Sequence, residues 1–274
     1  MKKTRIHGVW ILFLLSVVTC LQVKAQYMPV VFDKVYGDKN QIQLVCPLPG
    51  DEVALVGKEG QKYNLTWVER EGDVVFSLPL TGFTAVNEIA ELDNNRVLVV
   101  GQSTMPNVKG KKDRITLCGR IAVVERNGRI VTDIYAGDQG SNFLKGMLLR
   151  SGAFVVSGSE PKGADGRQGI LLKLDPTGSV VYQYKNAGGG YCDQFAVMGN
   201  SIEYICAAFS AGKDKEQALV VRLDDKGKPY YMTAIPAKQF VVTGLNANIN
   251  DGSVLVIGNS PTDGGIIYKI RPEG

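Results

Sequence analysis

The amino-acid sequence predicts an all-β protein made of repeated antiparallel sheets, and three observations indicate this fold class. Short apolar runs that end in a small residue, usually glycine, recur at intervals of 44 to 57 residues. A second apolar run and a glycine turn follow each of them. A more polar run then follows four of the five turns. Repetition at this period is typical of small sheets that stack on one another.

The first apolar run of each repeat has the length of one buried β-strand. Residues 97–101 (Val-Leu-Val-Val-Gly) and residues 254–258 (Val-Leu-Val-Ile-Gly) are almost identical. The other copies are residues 53–57, residues 154–158 and residues 204–207, where Ala207 takes the place of glycine. We therefore predict one strand at each of these five positions.

A second strand follows each first run and ends in a charged glycine turn. Residues 175–178 (Asp-Pro-Thr-Gly) and residues 224–227 (Asp-Asp-Lys-Gly) are two of these turns. Glycine adopts the positive φ that a tight hairpin needs. An inner strand precedes the first run and an outer strand follows the turn. Each repeat is therefore predicted to be a meander of four strands, which we label A, B, C and D from the inner to the outer position.

Five such repeats are predicted, and the last one is incomplete. They cover residues 41–78, 83–135, 143–184, 191–234 and 242–274. The fifth ends after its C strand, whereas residues 28–36 have the composition of an unpaired outer strand. Pairing this segment with the last repeat leaves no open sheet edge. The sequence thus predicts a five-bladed β-propeller whose N-terminal strand completes the last blade; a β-sandwich and a six-bladed ring stay open as alternatives.

The repeats resemble the glycine-punctuated repeats of secreted bacterial β-propellers. The resemblance rests on an apolar run that ends in glycine and on a strand that ends in Asp-x-x-Gly, and it covers almost all of residues 28–274. It implies the fold and carries over no catalytic residues.

The first 25 residues have the features of a secretory signal peptide. Lys2, Lys3 and Arg5 precede an apolar core at residues 9–18, and Val23-Lys24-Ala25 supplies the residues before a cleavage site. That core is too short to span a membrane as a helix. We expect cleavage before Gln26, one domain over residues 26–274, and export to the periplasm or the cell surface. A lipoprotein anchored through Cys20 is the alternative.

The predicted mature chain excludes several kinds of chemistry. It contains 27 basic and 27 acidic residues, so its net charge gives no reason to expect nucleic-acid binding. The one histidine, His7, lies in the signal peptide, which excludes histidine-based triads and histidine-bound zinc. No stretch after the signal is apolar and long enough to span a membrane. We predict no cofactor and no bound metal.

Ligand binding is predicted on the face that carries the D–A and B–C connections, because we expect the longer loops there. Aromatic rings beside amides and carboxylates suit a glycan or a peptide, and an envelope protein is a third kind of partner. The candidate ligand-binding residues are Asn87, Asp138, Gln139, Asn142, Lys145, Tyr191, Asp193, Gln194, Lys238 and Gln239.

Three functional hypotheses follow. The first is a non-catalytic binding module of an exported bacterial protein. The second is a small glycoside hydrolase or lyase that uses Glu88, Asp138 and Asp193, for which the carboxyl groups must lie roughly 5 or 6.5–9.5 Å apart. The third is a structural subunit of a surface complex that works through its outer strands.

Two of the four mature cysteines form a candidate disulfide. Cys192 on strand A and Cys206 on strand B of the fourth repeat lie at nearly equal distances from the turn at Gly199 and Asn200. Two buried thiols are the other interpretation. The spacing of Cys46 and Cys118 predicts no local partner.

Overall fold

A computed structural model of the chain describes residues 41–93, 95–105, 117–163, 166–186, 190–198, 204–210, 217–248 and 250–273. All of them belong to the second of two compact units, residues 35–274. The prediction of an all-β protein is confirmed, because nineteen strands form five antiparallel sheets across these residues. A short 3-10 turn at Pro49–Asp51 is the one helical element among them. The predicted signal peptide and the predicted closing strand, residues 28–36, lie outside the described residues.

Each sheet is a meander in which successive strands of the chain pair with each other. The first sheet contains β1 (Gln41–Pro47), β2 (Val53–Glu59), β3 (Lys62–Val68) and β4 (Val74–Pro79). The second contains β5 (Phe83–Asp93), β6 (Arg96–Thr104), β7 (Leu117–Glu125) and β8 (Ile130–Ala136). The third contains β9 (Asn142–Leu148), β10 (Phe154–Lys162), β11 (Gly166–Leu174) and β12 (Val180–Lys185). The fourth contains β13 (Tyr191–Met198), β14 (Tyr204–Ser210), β15 (Gln217–Leu223) and β16 (Pro229–Lys238). The fifth contains β17 (Val241–Ala247), β18 (Val254–Ser260) and β19 (Gly264–Ile270).

A β-bulge in each inner strand explains the repeated glycine of the B strand. The bulge brings the inner backbone close to that position, and a Cβ atom on Gly101 would lie 2.0 Å from the carbonyl oxygen of Ala85. In the fourth sheet this position belongs to Phe209, which pairs with Cys192. The sequence alignment that placed Ala207 there was therefore wrong by two residues.

The core lies between consecutive sheets and forms four separate clusters. Each sheet from the second to the fourth is therefore apolar on both faces. Aromatic rings of one sheet pack against glycines of the sheet before it. A Cβ atom on Gly119 would lie 2.4 Å from the ring of Phe143, and one on Gly169 would lie 2.5 Å from the ring of Phe209. This arrangement of stacked meanders is propeller-like.

The predicted difference in loop lengths was wrong for the D–A connections. They comprise residues 80–82, 137–141, 186–190 and 239–240, and are no longer than most of the A–B turns. Each outer strand continues past the predicted end of its repeat, by four residues in β16, and this shortens the connection to the next inner strand. Among the B–C connections, residues 105–116 and residues 211–216 are the longest.

The candidate disulfide between Cys192 and Cys206 is not formed, because both thiols are free and buried. Cys206 pairs with Ala196, and Cys192 pairs with Phe209, so the two cysteines are not opposite each other. The bulge at Asp193 shifts the register, and the two side chains point into different inter-sheet clusters. Burial raises the pKa of both thiols, that of Cys206 to about 11, which keeps them protonated and unreactive.

Candidate functional site

Most of the predicted ligand-binding residues lie on inner strands rather than in loops. Asn87, Asn142, Lys145, Tyr191, Asp193 and Gln194 belong to β5, β9 and β13, and Lys238 ends β16. The D–A connections hold Asp138, Gln139 and Gln239. The predicted residues therefore divide into a strand group and a connection group, which have different surroundings.

Asn87 connects the second and third sheets. It is the bulge residue of β5, so its side chain turns toward the next inner strand. Its amide nitrogen Nδ2 donates to Oδ1 of Asn142 at 2.7 Å and to the carbonyl oxygen of Phe143 at 2.6 Å. These two hydrogen bonds hold β5 against β9. Asn87 and Asn142 thus bind each other and contribute to the joint between two sheets.

Glu88 makes a second connection across the same joint. Its Oε2 accepts a hydrogen bond from the backbone nitrogen of Gly146 at 2.5 Å, and Lys145 Nζ lies 3.9 Å from its Oε1. Burial of the carboxyl group raises the pKa of Glu88, although the Gly146 hydrogen bond and the Lys145 charge both oppose the rise. Lys145, another predicted site residue, therefore contacts a carboxylate of the neighbouring sheet.

Asp193 occupies the bulge of β13, the position equivalent to Asn87. Its carboxylate accepts a short hydrogen bond from the Ser210 hydroxyl, whose oxygen accepts the backbone N–H of Val242 at 3.1 Å. The pair thus links the fourth and fifth sheets, as Asn87 links the second and third. Burial raises the pKa of Asp193, and the Ser210 hydrogen bond opposes it.

The three carboxylates of the hydrolase hypothesis have separate surroundings. Glu88 contacts Gly146 and Lys145, Asp193 contacts Ser210, and Asp138 contacts Lys185. They share no partner among the contacts of the described residues. No group of three or more His, Cys, Asp or Glu side chains suited to a metal ion occurs in the part of the chain that the structure describes.

The rim loop, residues 137–141, is a D–A connection held from three directions. Its Gly140 nitrogen donates to the carbonyl oxygen of Leu117 at 2.7 Å. Gln102 Nε2 donates to the Ser141 carbonyl oxygen at 3.1 Å, and an Arg167 nitrogen donates to the Gly140 carbonyl oxygen at 3.1 Å. The backbone of this loop is therefore fixed by the second and third sheets together.

The rim loop presents two exposed polar side chains, Asp138 and Gln139. The Asp138 side chain is 72% exposed, and its Oδ2 accepts a hydrogen bond from Lys185 Nζ at 2.8 Å. A fixed backbone that carries exposed polar groups requires little ordering when a ligand binds.

Glu160 is a functional candidate that the sequence analysis did not select. It lies on β10 with a side chain that is 2% exposed. Its Oε1 lies 2.5 Å from Lys185 Nζ and accepts from Gln168 Nε2 at 2.6 Å. Lys185 thus bridges a buried carboxylate and the exposed Asp138. Residues 154–160 of β10 are all buried, so continuation of the strand past Gly158 is the signal that could have placed the Glu160 side chain in the interior.

Three further predicted residues, which lie in a D–A connection or at the end of a strand beside one, are exposed at the same edge of the sheets. Tyr191 is 43% exposed, and Lys238 and Gln239 are both exposed. Gln239 has a φ of 49°, a conformation that L-residues rarely adopt. Such strained positions cluster at functional sites, because the surrounding structure must hold them in place.

A groove of about 1000 Å³ lies at the opposite edge, between the first and second sheets. Its walls come from one A–B turn, one C–D turn and an outer strand. The lining residues are Val75, Asp93, Asn95, Arg96, Glu125, Arg126 and Asn127. Arg96 is paired with Asp93 at 2.6 Å, and Arg126 with Glu52 at 2.6 Å. None of the predicted site residues lines this groove.

Comparison with known proteins identifies similar folds but no family to which the chain can be assigned. No family model matches the chain, and no curated protein matches its sequence. The Kuenenia stuttgartiensis hydrazine synthase structure aligns with a TM-score of 0.60 at 12% identity, over 88% of this chain and 66% of that chain. The chain thus spans just under two thirds of the length of that protein.

A second solved structure, a protein of unknown function from Bacteroides caccae, aligns with a TM-score of 0.50 at 14% identity. The alignment covers 89% of this chain and 82% of that chain. Both structures are propeller-like proteins with several antiparallel sheets. The comparison therefore supports a propeller-like fold, and membership of a secreted bacterial propeller family stays a prediction. Among the described residues, no helix is long and apolar enough to cross a membrane.

Proposed function

We propose that the protein is a non-catalytic binding module of an exported bacterial protein, and that its five sheets are the blades of a five-bladed propeller. The ligand, a glycan or a peptide, binds on the face of the D–A and B–C connections. The observation that carries this proposal is the rim loop, whose backbone is held by two sheets while Asp138 and Gln139 stay exposed. Preorganised polar groups on a rigid scaffold favour binding, because little conformational entropy is lost.

The chemistry of this face suits a polar, uncharged or cationic ligand. Asp138 offers carboxylate acceptors, Gln139 offers both a donor and an acceptor, and Tyr191 offers a half-exposed ring. Sugar hydroxyls and peptide amides both satisfy such groups, whereas the zero net charge of residues 26–274 gives no reason to expect nucleic-acid binding.

The binding proposal is tested with purified protein, residues 26–274, on glycan and peptide arrays, followed by titration of the best ligand. The double variant Asp138→Asn with Gln139→Ala should weaken binding by roughly 10- to 100-fold, since hydrogen bonds to charged groups contribute about 1.5–3 kcal/mol. Asp225→Asn, at an exposed C–D turn of the opposite edge, is the matched control and should bind normally. Equal binding by both variants would contradict the proposed face.

Export is tested separately. The proposal rests on the signal-like order of residues 1–25. Expression of the full chain in a Gram-negative host should give a periplasmic or surface product whose N-terminal peptide begins at Gln26. A product that retains Met1, or one that carries lipid on Cys20, would contradict cleavage after Ala25.

A carboxylate-dependent glycoside hydrolase or lyase is the second candidate, and one observation favours it. Burial raises the pKa of both Glu88 and Asp193, as it does for many general acids. Release of reducing ends from array-positive glycans, abolished in both Glu88→Gln and Asp193→Asn, would establish this candidate. Binding without product release, retained in both variants, favours the binding module.

A further inference from the structure

A carboxylate and an ammonium group lie side by side at the rim loop. Asp138 Oδ2 and Lys185 Nζ are 2.8 Å apart, and the two side chains are 72% and 35% exposed. A lysine ammonium group has three N–H donors and no acceptor, whereas an ionised carboxylate only accepts. The pair therefore offers a ligand one hydrogen-bond donor and one acceptor at neighbouring positions.

Lys185 is held in place from the interior by Glu160. Its Nζ lies 2.5 Å from Glu160 Oε1, and the Glu160 side chain is 2% exposed. Gln168 Nε2 donates to the same oxygen at 2.6 Å, and Gln183 Nε2 donates to Oε2 at 3.5 Å. Loss of the lysine would leave a buried carboxylate without a counter-charge, which is strongly unfavourable. Glu160 thus fixes Lys185, and Lys185 in turn fixes Asp138.

Lys185 stays charged and keeps the capacity to donate to a ligand. Burial alone would lower the pKa of Lys185, but its hydrogen bonds to Asp138 and Glu160 outweigh this effect and raise the pKa. Among the contacts of the described residues, these two carboxylates are the partners of Lys185 Nζ. They account for two of its three N–H groups, so the third can bind a ligand at the exposed side.

The backbone of the rim loop has its partners within the protein. The Gly140 N–H donates to the carbonyl oxygen of Leu117, and the Ser141 N–H donates to that of Asp138. Gln102 Nε2 donates to the carbonyl oxygens of Gly140 and Ser141 at 3.3 and 3.1 Å. Recognition of an extended peptide relies on main-chain hydrogen bonds, and these main-chain groups are already used. A ligand of this loop is therefore recognised by side chains.

The charges of the groups that make these contacts cancel. Asp138 and Glu160 are negative, and Lys185 and Arg167 are positive, Arg167 being the donor to the Gly140 carbonyl oxygen at 3.1 Å. A charged ligand group would lie beside a like charge whichever sign it carried. A hydroxyl is neutral, donates one hydrogen bond and accepts two. Two neighbouring hydroxyls of a sugar ring can thus donate to Asp138 and accept from Lys185.

We propose that the ligand is a glycan, that Asp138 and Lys185 bind two adjacent hydroxyl groups of one sugar ring, and that Glu160 positions Lys185 for this contact. The inference rests on the function proposed above. It deepens that function by choosing the glycan over the peptide and by adding Lys185 and Glu160 to the site.

Periodate treatment of the ligand tests the role of adjacent hydroxyls. Periodate cleaves the carbon–carbon bond between two neighbouring carbons that carry hydroxyls, and borohydride then reduces the resulting aldehydes to alcohols. A treated glycan therefore keeps hydroxyl groups but loses the adjacent pair. Parent protein, residues 26–274, is applied to a glycan array before and after treatment. We expect binding to neutral glycans of the untreated array and a loss of roughly 10-fold or more after treatment. Undiminished binding to the treated glycans would overturn the inference.

A double variant tests Lys185 on the same glycans. Lys185→Met with Glu160→Gln removes the ammonium group without leaving a buried charge, and it should weaken binding by roughly 10- to 100-fold. Glu160→Gln alone keeps the Lys185 donor and should weaken binding less than the double variant does. Lys226→Met, at an exposed C–D turn of the opposite edge, is the matched control and should bind normally. Parent-like binding by a folded double variant would contradict the role of Lys185. The periodate comparison uses the parent protein, so it decides the question even if the double variant does not fold.

The outcomes separate this inference from the proposed function. Binding to array peptides alone, weakened by Asp138→Asn with Gln139→Ala, would support the proposed face and overturn the glycan. Absence of binding to glycans and peptides alike would contradict the binding function itself.

Discussion

Two strands of nearly identical sequence, residues 97–101 in β6 and residues 254–258 in β18, have different surroundings. All four apolar residues of the first are fully buried, with alternate side chains packed against the first and the third sheet. In the second, Val254 and Val256 are buried, but Leu255 is 38% exposed and Ile257 is 41% exposed. The difference arises from the neighbours, since among the described residues the fifth sheet has a packed sheet on one face only.

This comparison teaches that an apolar run without alternation marks a strand that is suited to burial on both faces. A strand at a solvent-facing sheet would alternate between apolar and polar residues, and β18 does not. The outer face of the fifth sheet therefore carries the sequence of an interior face. Three predictions test how far the two regions differ, beginning with the largest effect.

Truncation of the equivalent leucines should separate the two regions most strongly. Leu98→Ala should lower the free energy of unfolding by about 2–5 kcal/mol, because the side chain is fully buried. Leu255→Ala should cost about 1 kcal/mol, because a large part of that side chain already contacts water. Urea unfolding of both variants measures the difference. An equal loss in the two would mean that the outer face of the fifth sheet is covered in solution.

Removal of the Asn87 hydrogen bonds that connect the second and third sheets should have an intermediate effect on the free energy of unfolding. Asn87→Ala leaves the Phe143 carbonyl and the Asn142 side chain without their donor, which should cost about 1–3 kcal/mol. Ser210→Ala should lower the free energy of unfolding by a similar amount, because it leaves the Val242 N–H in the fifth sheet without its acceptor. The exposed turn variant Asn127→Ala serves as the control and should lie within about 0.5 kcal/mol of the parent. Loss of ligand binding without loss of stability in Asn87→Ala would instead assign this residue to the binding site.

The smallest predicted effect is a change in the pH dependence of stability. The folded pKa of Glu88 is raised above its unfolded value of 4.5, so the folded state holds this proton more tightly. Its contribution to stability is therefore present below pH 4.5 and is lost as the pH rises through the folded pKa. Glu88→Gln should remove this loss, and the variant should gain thermal stability relative to the parent above that range.

Glu125→Gln is the control, because the contribution of Glu125 to stability is expected to depend on pH in the opposite direction. The hydrogen bond from Arg129 lowers the pKa of Glu125, so its contribution is present at neutral pH and is lost as the pH falls through the lowered value. Melting temperatures from pH 3 to pH 8 measure both variants. Parallel pH profiles for Glu88→Gln and the parent would contradict the role assigned to burial at Glu88.

The fold class could be predicted from the repeat in the sequence, whereas the surroundings of individual side chains could not. Runs such as residues 97–101 show strand length and glycine position directly, because backbone geometry imposes both. The bulge at Asn87 leaves no mark in one sequence, since it depends on how two inner strands meet. For that reason the sequence could not predict that Asn87 and Asp193 join neighbouring sheets, and ligand binding by these two residues stays a prediction.

The site was predictable in part. Asp138 and Gln139 were selected correctly as connection residues, because turn-forming glycines surround them in the sequence. Whether they bind a ligand stays a prediction. Glu160 was missed because its burial depends on Lys185, which lies 25 residues further along the chain and on another strand. The candidate disulfide between Cys192 and Cys206 was inferred from their equal distances to the turn. It is not formed for a similar reason, since one bulge changes the register of a whole hairpin.

The packing of rings such as Phe143 and Phe209 on glycines of the preceding sheet has a consequence for biogenesis. Each joint between sheets is made by segments that leave the ribosome in close succession, since Gly119 and Phe143 are separated by a single hairpin and connection. A chain synthesised from its N-terminus can thus add one sheet at a time to those already assembled. Every newly emerged sheet shields the apolar surface of the one before it, which limits the time that surface is available for aggregation.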